Sequence, residues 1–328
     1  AFVRLTKVSG KDISLYLGKT STTTLSIDWG DGITTTHTNS GNFNTSHTYS
    51  DYGDYEIKIW ISSGSGRYGF GNASSSFVNK DHILMYLFIG NSVSYIWGYA
   101  FQNCYSLTSV VIPENVSSIG SAAFSDCYSL TSINIPASVS SVGDTAFSNC
   151  YSLASIVIPE NVSSIWSYAF QNCYSLTSIN LPANLSSIEN YAFRSCYSLT
   201  NINLPAGVSS IGNSAFYYCH SLTNIVIPES VSSIGNSTFH YCYSLTSINI
   251  PASVSSIKDY AFTNCHSILK YVFNRTTPPS LANINAFSSI NSIAKIYVPD
   301  GSVNAYKSAT NWVTYADFIY PISEMESD

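Results

Sequence analysis

Charge is what this chain has least of. Asp, Glu, Lys and Arg together make up 10% of it, against roughly 25% in an average soluble protein. Only 13 residues are basic, no basic run occurs and the net charge is −6, so the footprint that nucleic acid requires is missing. Long apolar runs are scarce as well. The longest, Ile83 to Ile89, falls far short of the ~20 residues that cross a bilayer, so no membrane insertion is expected. No Cys-x-x-Cys pair is present to hold a metal. The six histidines (His37, His47, His82, His220, His240 and His266) stand in no recognisable motif with a nucleophile or paired acids, which argues against an enzyme. One glycine-rich match, Gly64 to Gly69, precedes poor helix material, so a pyrophosphate would meet no helix N-terminus. No cofactor is implied.

The missing charge is replaced by Ser, Thr, Asn and 25 Tyr, a surface that hydrogen-bonds and stacks. A cysteine recurs every 23 residues, at Cys104, Cys127, Cys150, Cys173, Cys196, Cys219, Cys242 and Cys265. A fixed period of this length marks a solenoid. One thiol per coil, always at the same phase, forms a column along the axis. Buried free thiols are the favoured reading, because free cysteine packs as a small hydrophobe. Disulfides between neighbours within ~7 Å, or a metal, are the alternatives.

Within a coil, Val110 and Ile112 alternate inward as a short strand, and Pro113 ends it by removing a donor amide. Val116 and Ile119 supply a second inward pair. Ala123-Phe124-x-x-Cys127 has the spacing of one short helical turn with Phe and Cys on its buried side. A lone coil leaves its apolar sides wet, so coils require neighbours and atypical ends. Ile83 to Phe101 reads as a degenerate first coil, with Ile89, Val93, Ile96 and Phe101 in phase. Seven regular coils start at Cys104 through Cys242; Thr276-Thr277-Pro278-Pro279 interrupts an eighth, begun at Cys265, and Ile290 takes the cysteine phase in the last. Asp300 to Ser308 reads as a capped helix and Trp312 to Tyr320 as an aromatic closure.

Residues 1–61 do not repeat. Period-2 segments at Phe2–Val8, Ile13–Leu17, Thr23–Trp29 and Tyr55–Ile61, separated by turn residues, predict a small all-β sandwich. Ile27-Asp28-Trp29-Gly30-Asp31-Gly32 and His47-Thr48-Tyr49 followed by Gly53-Asp54-Tyr55 resemble the PKD-type domain, which implies an extracellular spacer or binding module. Asp28, Asp31, Asp51 and Asp54 are read as turn residues bonding nearby amides, with a Ca²⁺ site as the less favoured alternative. The expected organisation is therefore 1–61 sandwich, 62–80 Gly/Ser-rich linker or loop, 81–299 solenoid and 300–328 C-terminal cap. The chain opens at Ala1 without a leader, as expected of a mature product after leader removal or of a trimmed chain.

The repeat Cys-x-x-Leu-x-x-Ile-x-Ile-Pro-x-x-Val-x-x-Ile-x-x-x-Ala-Phe resembles the BspA-type leucine-rich repeat over residues 83 to about 300. The resemblance implies a right-handed solenoid coil and an extracellular or cell-surface location. It also implies adhesion to a host or neighbouring-cell protein or glycan, and no catalysis.

Two columns of candidate binding residues follow from the coil. One lies on the outward face of the strands, five and seven residues after each cysteine, and includes Ser109, Asn134, Ser155, Asn180, Asn203 and Asn249. The other directly follows the cysteines: Tyr105, Tyr128, Tyr151, Tyr174, Tyr197, His220, Tyr243 and His266. Trp97 and Trp166 add rings in another phase. Tyrosine offers large contact area at low entropic cost, whereas rings stacking on each other would only stiffen the coil. Seven Asn-x-Ser/Thr sequons, at Asn44, Asn72, Asn115, Asn161, Asn184, Asn236 and Asn274, are about what chance produces in so Ser/Thr-rich a chain. Recognition of a partner is the leading reading. Self-association into a fibre or surface layer is its rival, suited by low charge and uniform coils.

Overall fold

The structure, a computed structural model, describes residues 2–9, 12–19, 24–38, 41–51, 54–63, 68–70, 86–88 and 94–325. Residues 64–67 of the glycine-rich match lie outside these, as do Asn72, His82, Ile83, Ile89 and Val93. The chain divides into two compact units: Ala1–Val162 with Asn172–Tyr174, and Ser163–Gln171 with Ser175–Asp328. Both contain turns of a β-solenoid, about ten in all at a spacing of ~23 residues.

The first unit opens with the strands β1 (Phe2–Ser9), β2 (Asp12–Lys19), β3 (Thr24–Asp28), β4 (Thr34–His37), β5 (Gly41–Thr48), β6 (Asp54–Ser63), β7 (Tyr68–Phe70) and β8 (Tyr86–Phe88). One sheet runs β4-β3-β6-β1-β8 and continues into the coil strands Ser109–Val111, Ser132–Asn134 and Ser155–Val157. The changeover happens at β8, which pairs antiparallel with β1 and parallel with Ser109–Val111. A second sheet has the order β5-β2-β7.

Each coil then follows the same course. In the second coil strand pair Val110 stands opposite Ile133, and both are buried while Val111 and Asn134 face out. The Pro113 carbonyl accepts the Val116 N–H at 3.1 Å and turns the chain. Ser118–Ile119 forms a further parallel strand between Tyr95–Ile96 and Ser141–Val142. The sequence pattern predicted only an inward pair there. Amides such as Ser117 and Ser140, each bonded to the coil before at 2.9 and 3.0 Å, make it a second sheet.

The segment leading to each cysteine is a chain of turns rather than one continuous helix. The amides of Ala123, Ser125 and Cys127 bond three residues back, to Gly120, Ala122 and Phe124. The amides of Ala122, Phe124 and Asp126 instead bond forward to Asp144, Ala146 and Ser148 of the next coil, at 2.8 Å each. Left-handed backbone at Ala122 (φ 54°) and Asp126 (φ 62°) produces this alternation. The same two phases are left-handed from coil to coil, and the phase before cysteine favours Asn (Asn103, Asn149, Asn172, Asn264), which tolerates that region best after Gly.

Phenylalanines stack down the interior. Centroids are 5.2 Å apart for Phe101–Phe124 and 5.6 Å for Phe124–Phe147 in the first unit. In the second they are 5.5 Å for Phe170–Phe193 and 5.6 Å for Phe193–Phe216. That unit ends in the sheet Ser247–Ile250, Lys270–Phe273, Lys295–Val298, Ile319–Pro321. The interruption after Phe273 is absorbed without losing the stack, since Phe262 still meets Phe287 at 5.4 Å. Helix α1 (Val303–Ser308) and the 3-10 segment Trp312–Phe318 close the end. Trp312 is fully buried and its Nε1–H donates to the Pro279 carbonyl at 2.7 Å, while Tyr306 donates to that of Arg275 at 2.9 Å. Trp312 packs against Phe273 and Tyr306, and Tyr315 against Phe287, so these rings cover apolar side chains of the last coils.

Candidate functional site

The cysteine column is interior. All eight thiols are buried and unbonded to one another. Burial pushes Cys104 and Cys265 up to about 12 and the neighbouring thiols up as well, so they stay protonated and inert. From Cys127 onward each Sγ–H donates to the phenylalanine carbonyl one coil back, for example Cys127 to Phe101 at 3.2 Å and Cys196 to Phe170 at 3.2 Å. This column holds the coils and offers no chemistry to solvent.

The outward face of the coil strands does reach solvent. In the first unit Ser109, Ser132 and Ser155 stand in register on adjacent strands, and beside them Val111, Asn134 and Val157 are exposed. The second unit has its own column at the same phase, Ser178, Asn201, Asn224 and Ser247, with Asn180, Asn203, Val226 and Asn249 exposed two residues on. Parallel in-register pairing brings these side chains together, because strand alternation sends every second residue outward. Threonines beside the column are tied down, as where Thr131 Oγ1 donates to the Thr108 carbonyl at 3.2 Å. The result in each unit is a wall of short polar groups with valine tips.

The second column is a ring ladder. Centroid separations are 4.8 Å for Tyr105–Tyr128, 4.5 Å for Tyr128–Tyr151 and 4.7 Å for Tyr151–Tyr174 in the first unit. In the second they are 4.9 Å for Tyr197–His220, 4.8 Å for His220–Tyr243 and 6.0 Å for Tyr243–His266. Tyr105, Tyr197, Tyr243 and His266 are exposed and the others half-buried. The rings stack on one another, and their edges face outward. Trp97 and Trp166 are exposed but sit seven residues before a cysteine, in different units, and join neither column.

Two features lay in the pattern without being picked out. Counting five residues on from Cys265 and from Ile290 places Lys270 and Lys295 in the wall's first column, in register with Ser247. Arg194 lies over the rings of Tyr191 (5.7 Å) and Tyr217 (5.3 Å), a contact across two coils that no local motif encodes.

Among the N-terminal strands, Asp28 and Asp31 accept the amides of Gly30 and Ile33 at 2.9 and 3.1 Å, as expected of turn residues. His47 stacks on Trp29 at 5.0 Å and meets Asp31 Oδ2 at 2.6 Å. Burial opposes ionisation of Asp31, yet the His47 hydrogen bond, the Ile33 amide and the His47 charge hold its carboxyl below the usual value. Tyr49 donates to the Trp29 carbonyl at 2.7 Å and locks the turn. Among the described residues no three His, Cys, Asp or Glu side chains are grouped to hold a metal ion. Burial lowers the pKa of His220 and His240, which favours neutral rings in the stacks.

Coils with an inward Leu-x-x-Ile strand, stacked in parallel and closed by an aromatic plug, define a leucine-rich-repeat protein. Residues 73–200 and 186–312 match the family described as BspA type leucine rich repeat region, and the chain belongs to that family. Solved structures of similar fold include a leucine rich cell surface protein from Faecalibacterium prausnitzii, 24% identical with a TM-score of 0.38, covering 77% of this chain and 87% of that one. A leucine-rich repeat protein from Eubacterium ventriosum is 18% identical with a TM-score of 0.47, covering 80% and 82%. The pneumococcal vaccine antigen PcpA is 18% identical with a TM-score of 0.47, covering 73% and 66%. No curated protein matches the chain. Among the described residues no helix is long and apolar enough to cross a membrane.

Proposed function

We propose that this chain is an extracellular or cell-surface recognition protein that binds a protein or glycan along the polar wall and the ring ladder. The observation that carries the reading is the wall itself. Its exposed Ser, Asn and Val side chains are short and held in register on a rigid parallel sheet, so a partner can approach the backbone closely. The ladder adds pre-stacked ring edges that lose little entropy when covered. Family membership supports the reading, and one of the similar folds belongs to a cell surface protein. The N-terminal strands, in the PKD-like sandwich their sequence suggests, serve as a spacer or a second binding module.

The test is surface binding of the full chain to a panel of immobilised matrix and cell-surface glycoproteins. Asn134→Arg and Asn203→Arg block the wall without touching the core. Loss of a bound partner in these variants, with circular dichroism unchanged, supports the reading. A partner held equally well by both wall variants and by Tyr105→Ser and Tyr243→Ser sinks it.

A second reading has its own observation. The uninterrupted ladder from Tyr105 to Tyr174, on a chain with so little charge, also suits self-association into a fibre or surface layer. Long regular assemblies seen by negative-stain microscopy without any ligand would favour it over a monomeric binder. A monodisperse monomer at high concentration would dismiss it.

A further inference from the structure

The wall's first column is Ser or Asn in every regular coil from Ser109 to Ser247. Its last two members break that rule in the same way. Lys270 pairs with Ser247 on one side and with Lys295 on the other, in a parallel register that sets the two lysines directly beside each other. Like charges opposite one another on neighbouring strands are unfavourable. In a chain with 13 basic residues and a net charge of −6, two lysines stand side by side in a column whose other members, Ser109 to Ser247, are all uncharged.

The surroundings narrow what the pair would take. Lys295 Nζ lies 5.1 Å from the centre of the Tyr320 ring. On the same wall, Asn274 Nδ2 donates to Asn249 Oδ1 at 3.0 Å, and both amides are exposed with hydrogen-bonding capacity left over. Two ammonium groups, a pair of amides and a tyrosine offer partners for one anionic group and several hydroxyls. In the wall's second column, beside the lysines, Asn249 is exposed, Val272 only half-exposed and Tyr297 buried, so the surface offers more hydrogen-bonding groups than the large apolar anchor an acidic peptide wants.

We infer that the last strands of the second unit form a site for an acidic saccharide. Lys270 and Lys295 clasp its carboxylate or sulfate, and Asn249, Asn274 and Tyr320 meet the sugar hydroxyls and ring. The inference rests on the reading of the wall as the recognition surface and names the ligand class at one end of it.

The substitutions that test it are Lys270→Ser with Lys295→Ser, which restore the residue that other coils carry at this phase and so spare the fold. Lys258→Ser, exposed elsewhere, controls for net charge. The full chain is titrated with heparin oligosaccharides for sulfate, hyaluronan oligosaccharides for carboxylate, dextran for a neutral sugar and poly-glutamate for an acidic peptide. Heparin or hyaluronan is expected to bind, with affinity reduced at least about tenfold in the double variant and unchanged in Lys258→Ser. Which of the two binds more tightly identifies the anionic group. Failure of both to bind, equal binding by the double variant, or tighter binding of poly-glutamate than of either saccharide overturns the inference. If neither saccharide binds while a protein partner is held by the full chain and lost in the Asn134 and Asn203 variants, the wall reading stands and this one falls.

Discussion

The thiol of Cys150 donates to the carbonyl oxygen of Phe124, 3.2 Å away and one coil behind it. The same oxygen also accepts the Cys127 amide at 3.3 Å. Each such carbonyl thus has a partner within its own coil and one from the next. This explains cysteine better than size alone does. Alanine or valine would pack in the same space, but neither carries a donor.

Cys150→Ala should therefore destabilise the chain by about 1–2 kcal/mol, the sum of a small cavity and a lost weak donor. Cys150→Ser keeps a donor on a shorter arm and should cost less than a nonpolar replacement if the hydrogen bond matters. Urea midpoints of the two variants check this. A smaller loss for alanine than for serine would mean that the thiol acts only as a filler.

Buried, protonated thiols should be silent to solvent reagents. Native protein is expected to react with no more than a trace of a disulfide reagent such as DTNB over an hour, and to release eight equivalents in guanidinium. Rapid reaction of even one or two thiols in the native state would contradict the interior column.

The same burial makes stability depend on alkaline pH. The folded thiols titrate above their ordinary value, Cys104 and Cys265 near 12, so the folded state holds protons that the unfolded state releases. Their contribution is complete below the unfolded value of about 8.5 and declines as pH rises from there towards 12, by up to about 1.4 kcal/mol per pH unit for each thiol. Urea midpoints should be level from pH 6 to 8 and fall steeply above pH 9. Cys150→Ala should show the shallower decline.

Backbone conformation provides a test of opposite sign. Thr145 is β-branched yet left-handed, at φ 56°. Thr145→Asn, the residue favoured at the other left-handed phase, should stabilise by about 0.5–1 kcal/mol. Gly143→Ala should do the reverse, because its Cβ would come 2.4 Å from the Ser121 amide nitrogen of the preceding coil, and backbone must shift. A loss of about 1–3 kcal/mol is expected from thermal melts.

Much of the fold could be read from the chain directly. Leu107, Val110, Ile112, Val116, Ile119, Phe124 and Cys127 are all buried, as their phases in the repeat predict. The ring ladder was equally legible, since one Tyr per coil at constant phase must land on its neighbours. The second parallel sheet was not. Its strands, such as Ser118–Ile119, are two residues long and owe their existence to amides supplied by adjacent coils. Nor was the alternation of left-handed residues, because Ala122, Tyr168 and Tyr191 carry no glycine signal and are held there by bonds to the coil that follows.

By itself the 23-residue recurrence determined that the chain coils, which side chains of each coil turn inward and that each coil's thiol is interior. Those are properties of a single turn, written within two dozen residues. Which outward residues become neighbours was decided only in the tertiary structure. Lys270 and Lys295 lie 25 residues apart because of the Thr-Pro insertion, and hydrogen bonds between coils still bring them side by side. Contacts across coils depend on how one turn's backbone registers on the next.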